Sequence, residues 1–137
     1  SGTMNVMAAF CLSVCLAITA FANPAFANPA EGQVIAIHSI SGSGVGPSIG
    51  AITALDTDQG LVIEQHDELY ERDLREHLSK KAIQPRIARV VDWLMRRAER
   101  RIVVVGHSGV FDKLVGLDMG NCEIVRVEAE DLPTLAS

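Results

Sequence analysis

The sequence predicts an α/β fold, a small and mainly parallel sheet flanked by helices. From Pro85 onward the apolar residues switch between helical spacing and short continuous runs, in the order helix, strand, helix, strand. That alternation places a largely parallel sheet between helices. Ile102 to Val105 is a β-branched run that is apolar at every position, which suits a strand covered on both faces. A chain of 137 residues has room for one domain and one core.

Ser1-Gly2-Thr3 before Met4 reads as a tag remnant, and the first thirty residues carry no charged side chain. Within them Met7 to Ala22, "MAAFCLSVCLAITAFA", is shorter than the ~20 residues of a membrane span and has the length of a signal-peptide core. The doubled "AFANP" that follows offers two small-x-small cleavage sites, Ala20-Phe21-Ala22 and Ala25-Phe26-Ala27. An exported or periplasmic protein is therefore expected, although no Lys or Arg precedes the apolar run. The other reading of this segment is an apolar helix packed on the domain or mediating self-association. Residues 1–30 are thus a tag remnant and signal-like segment, and residues 31–137 a single α/β domain.

Within the domain, Gln33 to Ile37 predicts a buried strand ending at His38, and the Gly/Ser-rich stretch Ser39 to Gly50 a loop. Ala51 to Leu55 and Leu61 to Ile63 are short strands separated by "DTDQG", which has turn chemistry. Glu64 to Lys81 is polar and expected to be mostly helical. Ile83, Ile87, Val90, Val91 and Leu94 recur at helical spacing and predict a helix from Pro85 to about Glu99, with Pro85 in the first turn. After the strand at Ile102 to Val105, the stripe Val110, Phe111, Leu114 and Val115 predicts a short helix. Ile124 to Val127 predicts a last strand.

Charge and cysteine usage exclude several classes. The net charge is −5, yet ten of the twelve Lys and Arg residues fall between Arg72 and Arg101. In "RIARVVDWLMRRAERR" these charges surround an apolar stripe, with Trp93 the one aromatic residue. A solvated helix face is the better reading than a nucleic-acid surface. Cys11 and Cys15 sit in the apolar run and Cys122 stands apart, so no disulfide framework is expected. His38, His66, His77 and His107 have no metal-ligand spacing, and no metal or cofactor is expected.

The stretch with chemical content is "RIVVVGHSGVFDKL", Arg101 to Leu114. A strand followed by Gly106-His107-Ser108-Gly109 and a helix sets His107 at the carboxyl end of a sheet strand, where ligands of such sheets bind. The amides of Ser108, Gly109 and Val110 would open the helix and favour an anion. An imidazole there can donate a proton or a hydrogen bond near neutral pH. The competing reading is a turn in which Gly106 and Gly109 supply backbone freedom. Gly-His-Ser-Gly is not the Gly-x-Ser-x-Gly elbow, which argues against a serine hydrolase.

"RRIVVVGHSGVFDKLVGLDMGNCEIVRVE", Arg100 to Glu128, resembles the C-terminal part of the histidine phosphatase superfamily, the phosphoglycerate-mutase-like proteins. "ELYERDLREHL", Glu68 to Leu78, resembles that family's Leu-x-Glu segment. The resemblance implies a truncated architecture of that family and hydrolysis of a phosphomonoester through a phosphohistidine. His107 would be the second histidine of the anion pocket, Glu71 the catalytic acid and His38 the nucleophile, with Gly106, Ser108 and Gly109 about the phosphate. The family's Arg-His-Gly is Ile37-His38-Ser39 here, and its Ser-Pro-x-x-Arg segment is absent. A second and weaker likeness joins "SGSGVGPSIGAITALDTDQGLVI", Ser41 to Ile63, to the N-terminal strands of exported copper/zinc superoxide dismutases, without their histidine run. The implied partner is phosphate or a phosphorylated small molecule. The alternatives are a non-catalytic anion-binding remnant, a chimera of two families, or an interaction module assembled through the apolar N-terminus.

Overall fold

The computed structural model describes residues 13–23, 32–40, 52–69, 76 and 79–137. Five strands, β1 (Val34–Ile40), β2 (Ile52–Thr57), β3 (Gly60–Gln65), β4 (Arg101–His107) and β5 (Ile124–Glu128), form one sheet in the order β3-β2-β4-β1-β5. Among the described residues the helices with stated bounds are α1 (Lys80–Met95), α2 (Ser108–Val115) and α3 (Leu132–Leu135), preceded by an N-terminal helix over residues 13–21. An α/β fold with helices flanking a sheet is what the alternation predicted.

The sheet is mixed, which corrects the expectation of a mainly parallel one. Among the described strands only the β1–β4 pairing is parallel; β1–β5, β2–β3 and β2–β4 are antiparallel. The reason lies in the connections. β2 and β3 are joined through Asp58 and Gln59 alone, with Thr57 opposite Gly60, and a two-residue link can only make a hairpin. After α2 the chain returns to the carboxyl end of β1. There the Cys122 N–H donates to the Ser39 carbonyl at 2.8 Å and the Ser39 N–H to the Glu123 carbonyl at 2.9 Å. β5 therefore starts where β1 ends and runs against it.

Several element boundaries also move. β1 continues past His38 to Ile40. Glu64 and Gln65 belong to β3 and a 3-10 turn occupies Asp67–Leu69, where helix was expected; of the rest of Glu64 to Lys81, Glu76, Lys80 and Lys81 are helical and residues 70–75, 77 and 78 lie outside the described residues. α1 starts at Lys80, so Pro85 lies inside the helix rather than in its first turn. Its ring points to solvent, where one missing main-chain bond is tolerated better than in the packed stripe.

Strand alternation divides the sheet into two faces. Ile35, Ile37, Leu55, Ile102 and Val104 meet Ile83, Ile87, Val90 and Leu94 of α1 and Val110, Phe111 and Leu114 of α2. Val34, Ala36, Ile40, Ile52, Ala54, Val103 and Val105 form the other face, packed with Ala17 and Ala20 of the N-terminal helix. The two covers are unequal. Each buried Ile, Val or Leu on α1 is worth roughly 1.5–3 kcal/mol, whereas an alanine methyl brings about 0.8 kcal/mol. The expected stripe of α2 is buried as predicted, and the helix stops at Gly116, whose left-handed φ of 73° lets its N–H bond the Asp112 carbonyl at 3.1 Å.

Candidate functional site

The parallel pairing of β1 with β4 brings the two sequence-predicted histidines onto neighbouring strands. His38 lies opposite Val105 and His107 opposite Ile40, so the histidines are two residues out of step. Paired residues of adjacent strands project to the same side, so both histidines belong to the face of Ala36, Val103 and Val105. With a rise of ~3.3 Å per residue and a strand spacing of ~4.8 Å, their Cα atoms stand about 8 Å apart. They are 2% and 1% exposed.

His107 is the last residue of β4 rather than the first beyond it, and it is also the N-cap residue of α2, with extended backbone and no capping bond from its side chain. Ser108 and Gly109 follow in the first turn and are half-buried. The first-turn amides of an α-helix have no partner within it, and here they open beside the carboxyl end of β4. Gly106 faces the other side of the sheet. A Cβ there would lie 3.2 Å from Phe111 Cζ and 3.5 Å from the Leu69 carbonyl, so the Phe111 ring packs closely over this glycine.

His38 has a different environment. Burial pushes its pKa below the ordinary histidine value, and the main-chain groups of Leu16 and Cys122 that face it pull the other way. The neutral ring is thus the favoured form of His38. Leu16 belongs to the N-terminal helix, so the helix reaches the histidine end of the sheet.

Glu71 lies outside the described residues. The acid that sequence reasoning missed is Glu76, 3% exposed and held in a two-pronged ion pair by Arg86, which is 2% exposed. Arg86 Nε donates to Glu76 Oε2 at 3.0 Å and Nη2 to Oε1 at 2.5 Å, while Nη1 donates to the Glu68 carbonyl at 3.1 Å. A signal for this pair was present in part. Arg86 stands between Ile83 and Ile87 on the apolar stripe of α1, where a buried cation needs an acid. The pair lies on the α1 side of the sheet, away from the histidine face.

Other arginines of the basic stretch are engaged as well: Arg89 with Glu68, Arg96 with Asp92, Arg97 with Glu99 and Arg101 with Asp56. Arg97 holds the Glu99 carboxyl below the usual carboxylate range. A cavity of about 530 Å³ lies among Asp56, Asp58, Glu99, Arg100 and Arg101, at the opposite end of β4 from His107. A second, of about 460 Å³, separates α1 from the C-terminal residues Pro133 and Ala136. Among the described residues, no group of three His, Cys, Asp or Glu side chains is placed to hold a metal ion, and no helix is long and apolar enough to cross a membrane.

The site is therefore a pair of buried histidines on one sheet face, one of them at the start of a helix. No family model, no curated protein and no solved structure matches the chain.

Proposed function

We propose that the chain is an anion-binding domain of histidine-phosphatase type, which takes a phosphate group at the start of α2 beside His107. The observation that supports this reading is the juxtaposition of His38 and His107 on the parallel strands β1 and β4, with α2 beginning at His107. First-turn amides and the positive end of the helix dipole favour a phosphate there. The ligand class is inorganic phosphate or a phosphorylated small molecule.

A second reading, hydrolysis through a phosphohistidine, draws on the same juxtaposition. One histidine would attack phosphorus and release the alcohol, and water would then release phosphate from the ring. Phosphoryl transfer relies on positive groups around the three equatorial oxygens, and a single well-placed donor is worth ~3 kcal/mol. Arg86, Arg89, Arg97 and Arg101 are committed to carboxylates elsewhere. Binding without efficient turnover is the better reading.

The phosphoglycerate-mutase-like likeness lies chiefly in Arg100 to Glu128, the β4–α2–β5 stretch. The β2–β3 hairpin, in contrast, falls in the stretch similar to superoxide dismutase strands, and antiparallel pairing suits a family of antiparallel sandwiches. A chimeric origin would assign the β2–β3 hairpin to one family and the β4–α2–β5 stretch to the other.

Titration of the whole chain with inorganic phosphate, followed by amide NMR, tests the binding. Shifts centred on Ser108, Gly109 and Val110 are expected, with no phosphomonoester turnover above that of His107→Ala. Amides that stay in place at millimolar phosphate would overturn the reading.

A further inference from the structure

The N-terminal helix lies along the face that carries both histidines. Ser13, Ala17 and Ala20 are its fully buried residues, spaced so that one stripe meets the sheet. Leu16 faces His38 at the carboxyl end of β1. At the other end the Arg101 guanidinium stands over the Phe21 ring, 5.5 Å from its centroid, at the start of β4. The helix therefore runs from the His38 end of the strand pair toward the beginning of β4, along the face that carries both histidines.

Its fully buried residues are small, and its larger ones, Val14, Leu16 and Phe21, are only partly buried against the sheet. Serine and alanine let a helix approach a sheet closely but remove little apolar surface from water, whereas the opposite face is closed by Ile83, Ile87 and Leu94 of α1 and Phe111 of α2. Ile18, on the outer side of the N-terminal helix, is 52% exposed. This segment also carries the small-x-small sites at Ala20-Phe21-Ala22 and Ala25-Phe26-Ala27.

We infer that the N-terminal helix is an intramolecular cover that closes the His38–His107 face and can leave it without unfolding the sheet. Displacing or cleaving the segment opens both imidazoles to solvent and to a phosphate group held at the start of α2. That consequence rests on the phosphate reading; the covering itself does not. The half-buried first turn of α2 is reached from solvent in either state, so the cover governs access to the histidine rings and not to the amides.

Native-state hydrogen exchange of the whole chain tests the cover directly. The amides of residues 13–21 are expected to exchange at least about a hundredfold faster than those of Val103, Val104 and Val105, because a cover opens locally. Equal protection would make the helix part of the cooperative core and overturn the inference, whatever any variant does. Site-resolved carbethoxylation then compares the chain with Ala17→Asp, which sets a carboxylate against the sheet. His38 and His107 are expected to react at least about tenfold faster in the variant, while His66, stacked on Trp93 of α1 at 4.6 Å, keeps its rate. Unchanged rates at His38 and His107 would overturn the cover. A rise at all three histidines would mean that the helix cannot be displaced without unfolding, which also overturns it. Inorganic phosphate should slow the reaction of His107 in Ala17→Asp; failure of that protection alone sinks the phosphate reading and leaves the cover standing.

Discussion

At the scale of single residues, His38 and His107 differ in how much of their role a sequence can show. His107 was legible because strand, turn and helix are consecutive, so its place beside a helix start follows from local pattern. His38 was legible only as a histidine near a strand end. Its position opposite Val105 depends on pairing between segments more than sixty residues apart, which no local pattern encodes. The burial that results has a measurable effect. Because the folded state holds the His38 pKa below its ordinary 6.5, the unfolded chain takes up a proton that the folded chain resists. The stability this represents is complete above about pH 6.5 and is lost as the pH falls from there through the lower folded value. Between pH 7.5 and 5 the melting temperature should drop more steeply for the native chain than for His38→Gln. Parallel curves would show that His38 is not protonated differently in the two states.

At the scale of elements, α1 was the most legible helix because its stripe repeats over three turns, yet its start was missed. Pro85 marks a permitted first turn in isolation, so the start was placed there although Ile83 already lies on the stripe, and Lys80 and Lys81 were assigned to the polar stretch before it. What extends α1 to Lys80 is tertiary. Ile83 is fully buried, and Arg86 ties the helix to Glu76 and to the Glu68 carbonyl. The ion pair thus fastens the chain between β3 and α1 onto the helix. Removing one partner leaves the other charged and buried, so Glu76→Ala should cost about 3–5 kcal/mol. Urea unfolding would show this as a lowered midpoint. The double change Glu76→Leu with Arg86→Met should regain most of the loss, since apolar groups of similar volume replace a desolvated pair at little cost. If the double variant is as unstable as the single one, the pair does more than neutralise itself.

At the scale of the molecule, the order of helices and strands was enough to establish an α/β fold but not the direction of each strand. Direction was decided by a two-residue link after β2 and by the return of the chain from α2 to the end of β1, both of which lie between elements rather than within them. The same architecture gives residues 13–21 of the apolar run a place to pack. Its small-residue stripe is spent on the face of Val34, Ala36, Ile40, Val103 and Val105, so association through that stripe is not needed to bury it. Deleting it should have the opposite effect to that expected of an assembly segment. A chain starting at Asn28 would present this face to water, and contiguous apolar surface of that kind drives association. Size-exclusion chromatography should therefore find earlier, concentration-dependent elution for the shortened chain and a monomer for the full one, with dye binding to exposed apolar surface rising in dilute samples of the former. A full chain that associates and a shortened chain that does not would assign the N-terminus to assembly instead, and would remove the sheet face as its place of burial.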